Sequence, residues 1–80
     1  MNYFTYIVRC NDDTYYTGWT DDIKKRLDAH NKGVASKYTR ARLPVELAYS
    51  EEFASKIEAM RRERAIKKMP RAAKLHLISR

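Results

Sequence analysis

Eighty residues suffice for one domain with a thin core, since a chain of this size buries only about 60% of the surface it exposes when unfolded. An apolar content of 44% with two Gly and two Pro argues against a disordered tail, and no apolar run approaches the ~18 residues of a membrane span. The single cysteine, Cys10, excludes a disulfide framework or a cysteine zinc site, and the net charge of +7 is carried wholly by residues 56–80, where nine Lys/Arg face only Glu58 and Glu63.

Such a basic face points to a polyanion, nucleic acid before an anionic membrane. The N-terminus goes straight into an alternating pattern, without the basic and apolar regions of a secretory signal, so a cytoplasmic location is expected. Tyr3 to Arg9, rich in aromatic and β-branched residues, reads as a strand. Asn11-Asp12-Asp13-Thr14 is a cluster of turn formers, and Tyr15 to Trp19 reads as the second strand of a hairpin. Which of its tyrosines share a face depends on the hairpin register. Thr20 or Asp21 is expected to cap the following helix, which should stop near Asn31-Lys32-Gly33. Val34 to Arg42 reads as a polar, basic loop.

Pro44 marks the start of a third strand, Val45 to Ser50, with Val45, Leu47 and Tyr49 on one face. Ser55 caps a second long helix running to about Met69, with Glu58 as the reciprocal acid of a capping box. Pro70 ends it and suits the first turn of a last helix, Arg71 to Ile78. The order ββαβαα predicts an α+β fold, a small three-stranded antiparallel sheet flanked by helices, within a single domain spanning 1–80.

Helical periodicity singles out a few polar side chains. Ile23 and Leu27 form the inward stripe of the first long helix, with Arg26 and His30 as neighbours at its edge. The stripe should lie on the hairpin, bringing a phosphate-binding guanidinium and a proton-accepting imidazole near the tyrosines. A helix-end histidine with a satisfied hydrogen bond is the plainer alternative for His30. On the second long helix Ile57, Ala59, Met60 and Ile66 fill one arc with Glu63 near its middle, while Glu58, Arg61, Arg62 and Lys68 lie opposite. A carboxylate on a buried arc needs either a cationic partner or a bound cation such as Mg²⁺.

Together these residues resemble the GIY-YIG endonuclease superfamily, and most closely its small stand-alone bacterial (YhbQ/YazA-like) proteins. The first motif element falls on Phe4-Thr5-Tyr6, where only the Tyr is kept, and the second on Tyr16-Thr17-Gly18, where Tyr and Gly are kept. Thr20 to Gly33 looks like the family's Arg helix with its following His, and Ala59 to Lys67 like the segment bearing its metal-binding Glu. Lys37-Tyr38-Thr39-Arg40 and Pro44-Val45-Glu46-Leu47 are phrases shared with the small stand-alone members. The resemblance covers nearly the whole chain. It implies a GIY-YIG domain and a metal-dependent DNA endonuclease hydrolysing phosphodiester bonds, in DNA repair or recombination. Tyr6, Tyr16, Arg26, His30 and Glu63 are the implied catalytic residues, with Glu63 as ligand of Mg²⁺ (or Mn²⁺). Lys37, Tyr38 and Arg40 would grip nucleic acid. The DNA-recognition domain that family nucleases usually carry is absent from this sequence, so a partner protein could supply specificity. The alternative is a nucleic-acid-binding module, or an accessory subunit, that keeps the fold without cutting.

Overall fold

The computed structural model describes residues 2–79. Strands Tyr3–Arg9 (β1) and Tyr15–Thr20 (β2) form the expected antiparallel hairpin, with Thr5 opposite Trp19, Tyr6 opposite Gly18 and Val8 opposite Tyr16. The Cys10 amide donates to the Thr14 carbonyl at 2.8 Å, and Asp13 takes a left-handed φ of 62° at the tip. Helix α1 (Ile23–Asn31) follows, then a short helix α2 (Lys37–Arg40), strand β3 (Glu46–Phe53) and helices α3 (Lys56–Lys67) and α4 (Arg71–Ile78). The sheet order β2-β1-β3 puts the most apolar strand in the centre.

Because side chains alternate along a strand, β1 feeds two cores. Tyr6, Val8 and Cys10 face α1 and α2 and pack with Ile23, Leu27, Tyr38 and Val45. Ile7 faces α3 and α4 and packs with Ile66 and Leu77. Ile7 and Ile66 are fully buried, worth about 1.5–3 kcal/mol each. Thr5, on the same face, donates its hydroxyl to the Ala59 carbonyl of α3 at 2.7 Å.

Four expectations need correction. Asp22, not Thr20 or Asp21, caps α1, because the Thr20 hydroxyl is used one step earlier, accepting the Asp22 amide at 3.2 Å, and the Asp22 carboxylate then accepts from Lys25 N at 3.0 Å. The polar loop contains α2, whose Ser36 hydroxyl accepts from the Tyr38 and Thr39 amides. Strand β3 runs on to Phe53 and does not keep Val45, Leu47 and Tyr49 on one face. Tyr49 pairs with Ile7 while Leu47 pairs with Val8, so a bulge at Ala48 switches the strand from one core to the other. Pro70 is the N-cap of α4 and not part of its first turn.

The face of α3 also differs from the expected arc. Ala59 and Ile66 are fully buried, but Ile57 is 61% exposed on the far side. Arg62, expected opposite the arc, is instead half-buried and bidentate to Glu51 of β3 at 3.0–3.1 Å. The strand contributes a carboxylate that the helix periodicity alone does not reveal. Ser55 caps α3 as expected, accepting from Glu58 N at 3.4 Å.

Candidate active site

The site is built around Tyr6, whose partner across the hairpin is a glycine for a steric reason. A methyl group added at Gly18 would lie 2.6 Å from the Tyr6 hydroxyl and 2.8 Å from Cζ, so the ring occupies the space a side chain would need. Laid over Gly18, the phenol reaches His30 Nε2 at 2.8 Å. His30 lies in the last turn of α1, where Gly33, at φ 78°, closes the helix by donating its amide to the His30 carbonyl at 3.0 Å. The imidazole is 1% exposed, so it is no surface neighbour of Arg26, which stays exposed.

The other imidazole nitrogen, Nδ1, is 2.8 Å from Thr39 Oγ1, and Thr39 is fully buried on α2. Burial keeps the proton on the Tyr6 phenol, which offers it to Nε2, so Nδ1–H is left to donate to Thr39, whose own hydroxyl has the Ser36 carbonyl as a longer acceptor at 3.4 Å. Nε2 is then the acceptor, and Tyr6 donates to it. Asn31 holds the end of α1 against β3, its amide donating to the Val45 carbonyl at 3.0 Å and accepting the Val45 amide at 2.7 Å.

Burial pushes the Tyr6 phenol well above the usual tyrosine range, opposed mainly by the Arg26 guanidinium beside it. Burial, then Arg26, pushes His30 below its ordinary value. At neutral pH the resting pair is therefore a phenol and a neutral imidazole, joined by one proton. The phenol also feels Tyr16 and Glu63, so α1, α3 and the hairpin converge on it.

Tyr16 sits edge-on to His30, ring centroids 5.4 Å apart, and stacks on Tyr38 at 6.1 Å. Arg42 lies over the Tyr38 ring at 3.9 Å, which makes Tyr38 a wall of the site. Lys37 and Arg40 are exposed on α2, next to this wall. Glu63 is not buried in the middle of an apolar arc. Its side chain is 21% exposed and pairs with Lys67 at 3.3 Å, one helical turn along α3. Among the described residues no group of three His, Cys, Asp or Glu could hold a metal. One half-buried carboxylate fits a hard divalent cation that keeps several waters and takes its remaining ligands from a phosphate.

Tyr6, Tyr16, Arg26, His30 and Glu63, singled out in the sequence, thus converge. Sequence reasoning missed Thr39, the steric role of Gly18 and the Lys67 counter-ion. The signal for Thr39 was present in Ser36, a helix-capping residue three positions before it. Lys67 stands at i+4 from Glu63, the spacing of a helical ion pair.

Comparison with known proteins bears on the same residues. The family model described as the GIY-YIG catalytic domain matches residues 2–76. A UPF0213 protein of Streptococcus agalactiae is 56% identical over 75 residues, covering 94% of this chain and 85% of that one. The UPF0213 protein YazA of Bacillus subtilis is 47% identical over 73 residues, covering 91% of this chain and 74% of its own length. The solution NMR structure of the UPF0213 protein BH0048 from Bacillus halodurans superposes with a TM-score of 0.64 at 43% identity, covering 99% of this chain and 84% of that one. The match takes in every residue of the Tyr6–His30–Thr39 chain and both strands of the hairpin that carries it, and the chain belongs to the GIY-YIG catalytic domain family.

Proposed function

We propose that this protein is a metal-dependent DNA endonuclease. The observation that carries the reading is the proton chain from Tyr6 through His30 to Thr39, opening beside Arg26 and Glu63. Phosphodiester hydrolysis can use such a chain, because the attacking water must lose a proton as it bonds to phosphorus.

The raised phenol does not block that role. Tyr6 Oη takes the proton of the water while its own proton passes to His30 Nε2, leaving an imidazolium steadied by Thr39. Only a neutral imidazole can accept it, and burial keeps His30 neutral. Arg26, exposed and next to the phenol, balances charge building on the phosphoryl oxygens. Tyr16, edge-on to the imidazole, orients the phosphate or the water. Glu63 would hold Mg²⁺ or Mn²⁺, which when bound supplies Lewis-acid stabilisation of the leaving oxygen. Lys67 would have to give up its ion pair with Glu63, a contact worth at most about 1 kcal/mol at this exposure.

DNA is the proposed substrate on the family likeness, with repair or recombination as the setting and a partner protein as the source of specificity. The basic excess of residues 56–80 supports a polyanionic substrate. No helix among the described residues is long and apolar enough to cross a membrane. The test is cleavage of labelled single-stranded, duplex, flap and junction DNA with Mg²⁺ or Mn²⁺, beside a folded Glu63→Ala variant. Cutting by the wild type alone supports the reading. No cutting with binding intact in both would replace it with a nucleic-acid-binding module, and equal cutting by both would refute the role of Glu63.

A further inference from the structure

The basic excess of α3 and α4 is not used by the catalytic cluster. On α4, Arg71 and Lys74 flank a cleft whose other walls are Thr14 and Tyr15 of the hairpin and Tyr38 of α2. Arg71 lies over the Tyr15 ring at 5.4 Å and donates to the Asp13 carbonyl at 3.3 Å. Neither Arg71 nor Lys74 is paired with a carboxylate among the described residues. Of the two acids of the turn, Asp12 is bound to Arg42 at 3.0 Å, and Arg71 meets Asp13 through its backbone carbonyl. Two cations without counter-ions thus share a concave site with two phenols and a hydroxyl, and phosphate is the anion such donors suit.

The cleft also has a definite relation to the catalytic cluster, because Tyr38 belongs to both. From His30 the path runs to Tyr16 at 5.4 Å and on to Tyr38 at 6.1 Å, with the Lys67 ammonium alongside, 5.7 Å from the Tyr16 ring centre. The cleft therefore neighbours the reacting centre across the stacked Tyr16 and Tyr38 rings.

We propose that the cleft formed by Thr14, Tyr15, Tyr38, Arg71 and Lys74 is a phosphate subsite, which binds the backbone of the substrate strand beside the bond being cut. The cleft gives the enzyme a second grip that fixes the direction in which a strand crosses the active site. It rests on the nuclease reading for the identity of its ligand, but the donor set would bind a nucleic-acid phosphate whether or not the strand is then cut.

The test is equilibrium binding of labelled oligonucleotides by fluorescence anisotropy, in metal-free buffer and in the Glu63→Ala background, so that no cleavage is needed. Single-stranded and duplex DNA of equal length are titrated over a range of salt, with and without Arg71→Gln and Lys74→Gln. Lys74→Gln alone guards against loss of the Arg71 contacts to the turn. Each substitution should weaken binding several-fold and lower the slope of log K against log salt by about 0.7 on single strands or 0.9 on duplex. Loss on single strands only assigns the cleft to an unpaired strand, and loss on duplex assigns it to duplex backbone. Unchanged affinity and salt slope on both in folded Lys74→Gln would overturn the subsite, while leaving the cleavage test of Glu63 unaffected.

Discussion

Gly18→Ala tests the geometry of the site most sharply, because glycine there has a cost and only one neighbour explains it. Gly18 needs no left-handed backbone, so alanine would ordinarily stabilise by about 0.4–1 kcal/mol through the unfolded chain. Here the new methyl would meet the Tyr6 hydroxyl at 2.6 Å, Cζ at 2.8 Å and Cε2 at 3.1 Å. Tyr6 is 3% exposed, so its ring cannot swing into solvent without opening the core. Overpacking of this kind costs about 1–3 kcal/mol. Displacing the phenol also strips His30 Nε2 of its partner inside the protein, about 1–3 kcal/mol more. The net expectation is a loss of about 1–5 kcal/mol, or roughly 4–8 °C of Tm per kcal/mol for a domain of this size. The assay is urea and thermal denaturation of the four proteins of a double-mutant cycle, with Tyr6→Leu as the second change. Leucine lacks the hydroxyl and Cζ that the methyl meets, so Gly18→Ala should cost at least 1 kcal/mol less in that background. The same cost in both backgrounds would refute the argument that Gly18 exists to seat Tyr6.

One substitution type should give opposite signs at two buried threonines. Thr39→Val removes the acceptor of His30 Nδ1–H and should destabilise by about 1–3 kcal/mol, whereas Thr39→Ser keeps the bond and loses only a methyl, about 1 kcal/mol. The nitrogen-15 shifts of His30 check the tautomer, and an unchanged pattern in Thr39→Val would overturn the assigned direction of the chain. Thr17 stands where the family motif has Ile, and its buried hydroxyl has no hydrogen-bond partner among the described residues, so Thr17→Val should stabilise by about 1 kcal/mol. A lower urea midpoint for Thr17→Val would show that its hydroxyl is satisfied after all. Because burial lowers the folded-state value of His30, the unfolded chain binds the extra proton first. The His30 contribution is therefore complete above pH ~6.5 and lost as pH falls from there towards the folded value, by up to about 1.4 kcal/mol per pH unit. Urea midpoints between about pH 7 and 5 should slope less in His30→Gln than in the wild type, and equal slopes would locate the proton elsewhere.

The elements legible in the sequence were those whose signals are local. The aromatic and β-branched strands, the turn between Cys10 and Tyr15, the Ser55 cap and Gly33 at the end of α1 all carry their cause within a few residues. What failed depended on partners far along the chain. The arc of α3 was centred using Ile57, yet tertiary packing turned that residue outward and drew in Arg62 to meet Glu51. Strict alternation predicts one face for Val45, Leu47 and Tyr49, and a bulge is invisible to it. Residues 37–40 read as a loop because a single polar turn has no periodicity to detect. The candidate site residues were singled out in part through helical spacing and in part through family resemblance. Thr39 escaped because its role exists only once α2 is folded against His30.

The bulge at Ala48 makes the two sides of the sheet separately editable. Strand β3 serves the Val45 side before it and the Tyr49 side after it, and β1 alternates between them residue by residue. The apolar residues packed with Tyr6 and Val8 and those built on Ile7 and Ile66 therefore form separate clusters, and α3 reaches the Tyr6 side through polar side chains such as Glu63 and Lys67. Apolar substitutions in different clusters should be close to additive, whereas those within one cluster should not. The proton chain can thus stay fixed on one side while the apolar residues around Ile7 and Ile66 are exchanged on the other. A small GIY-YIG scaffold partitioned in this way can be retuned in one cluster without disturbing the Tyr6–His30–Thr39 chain in the other.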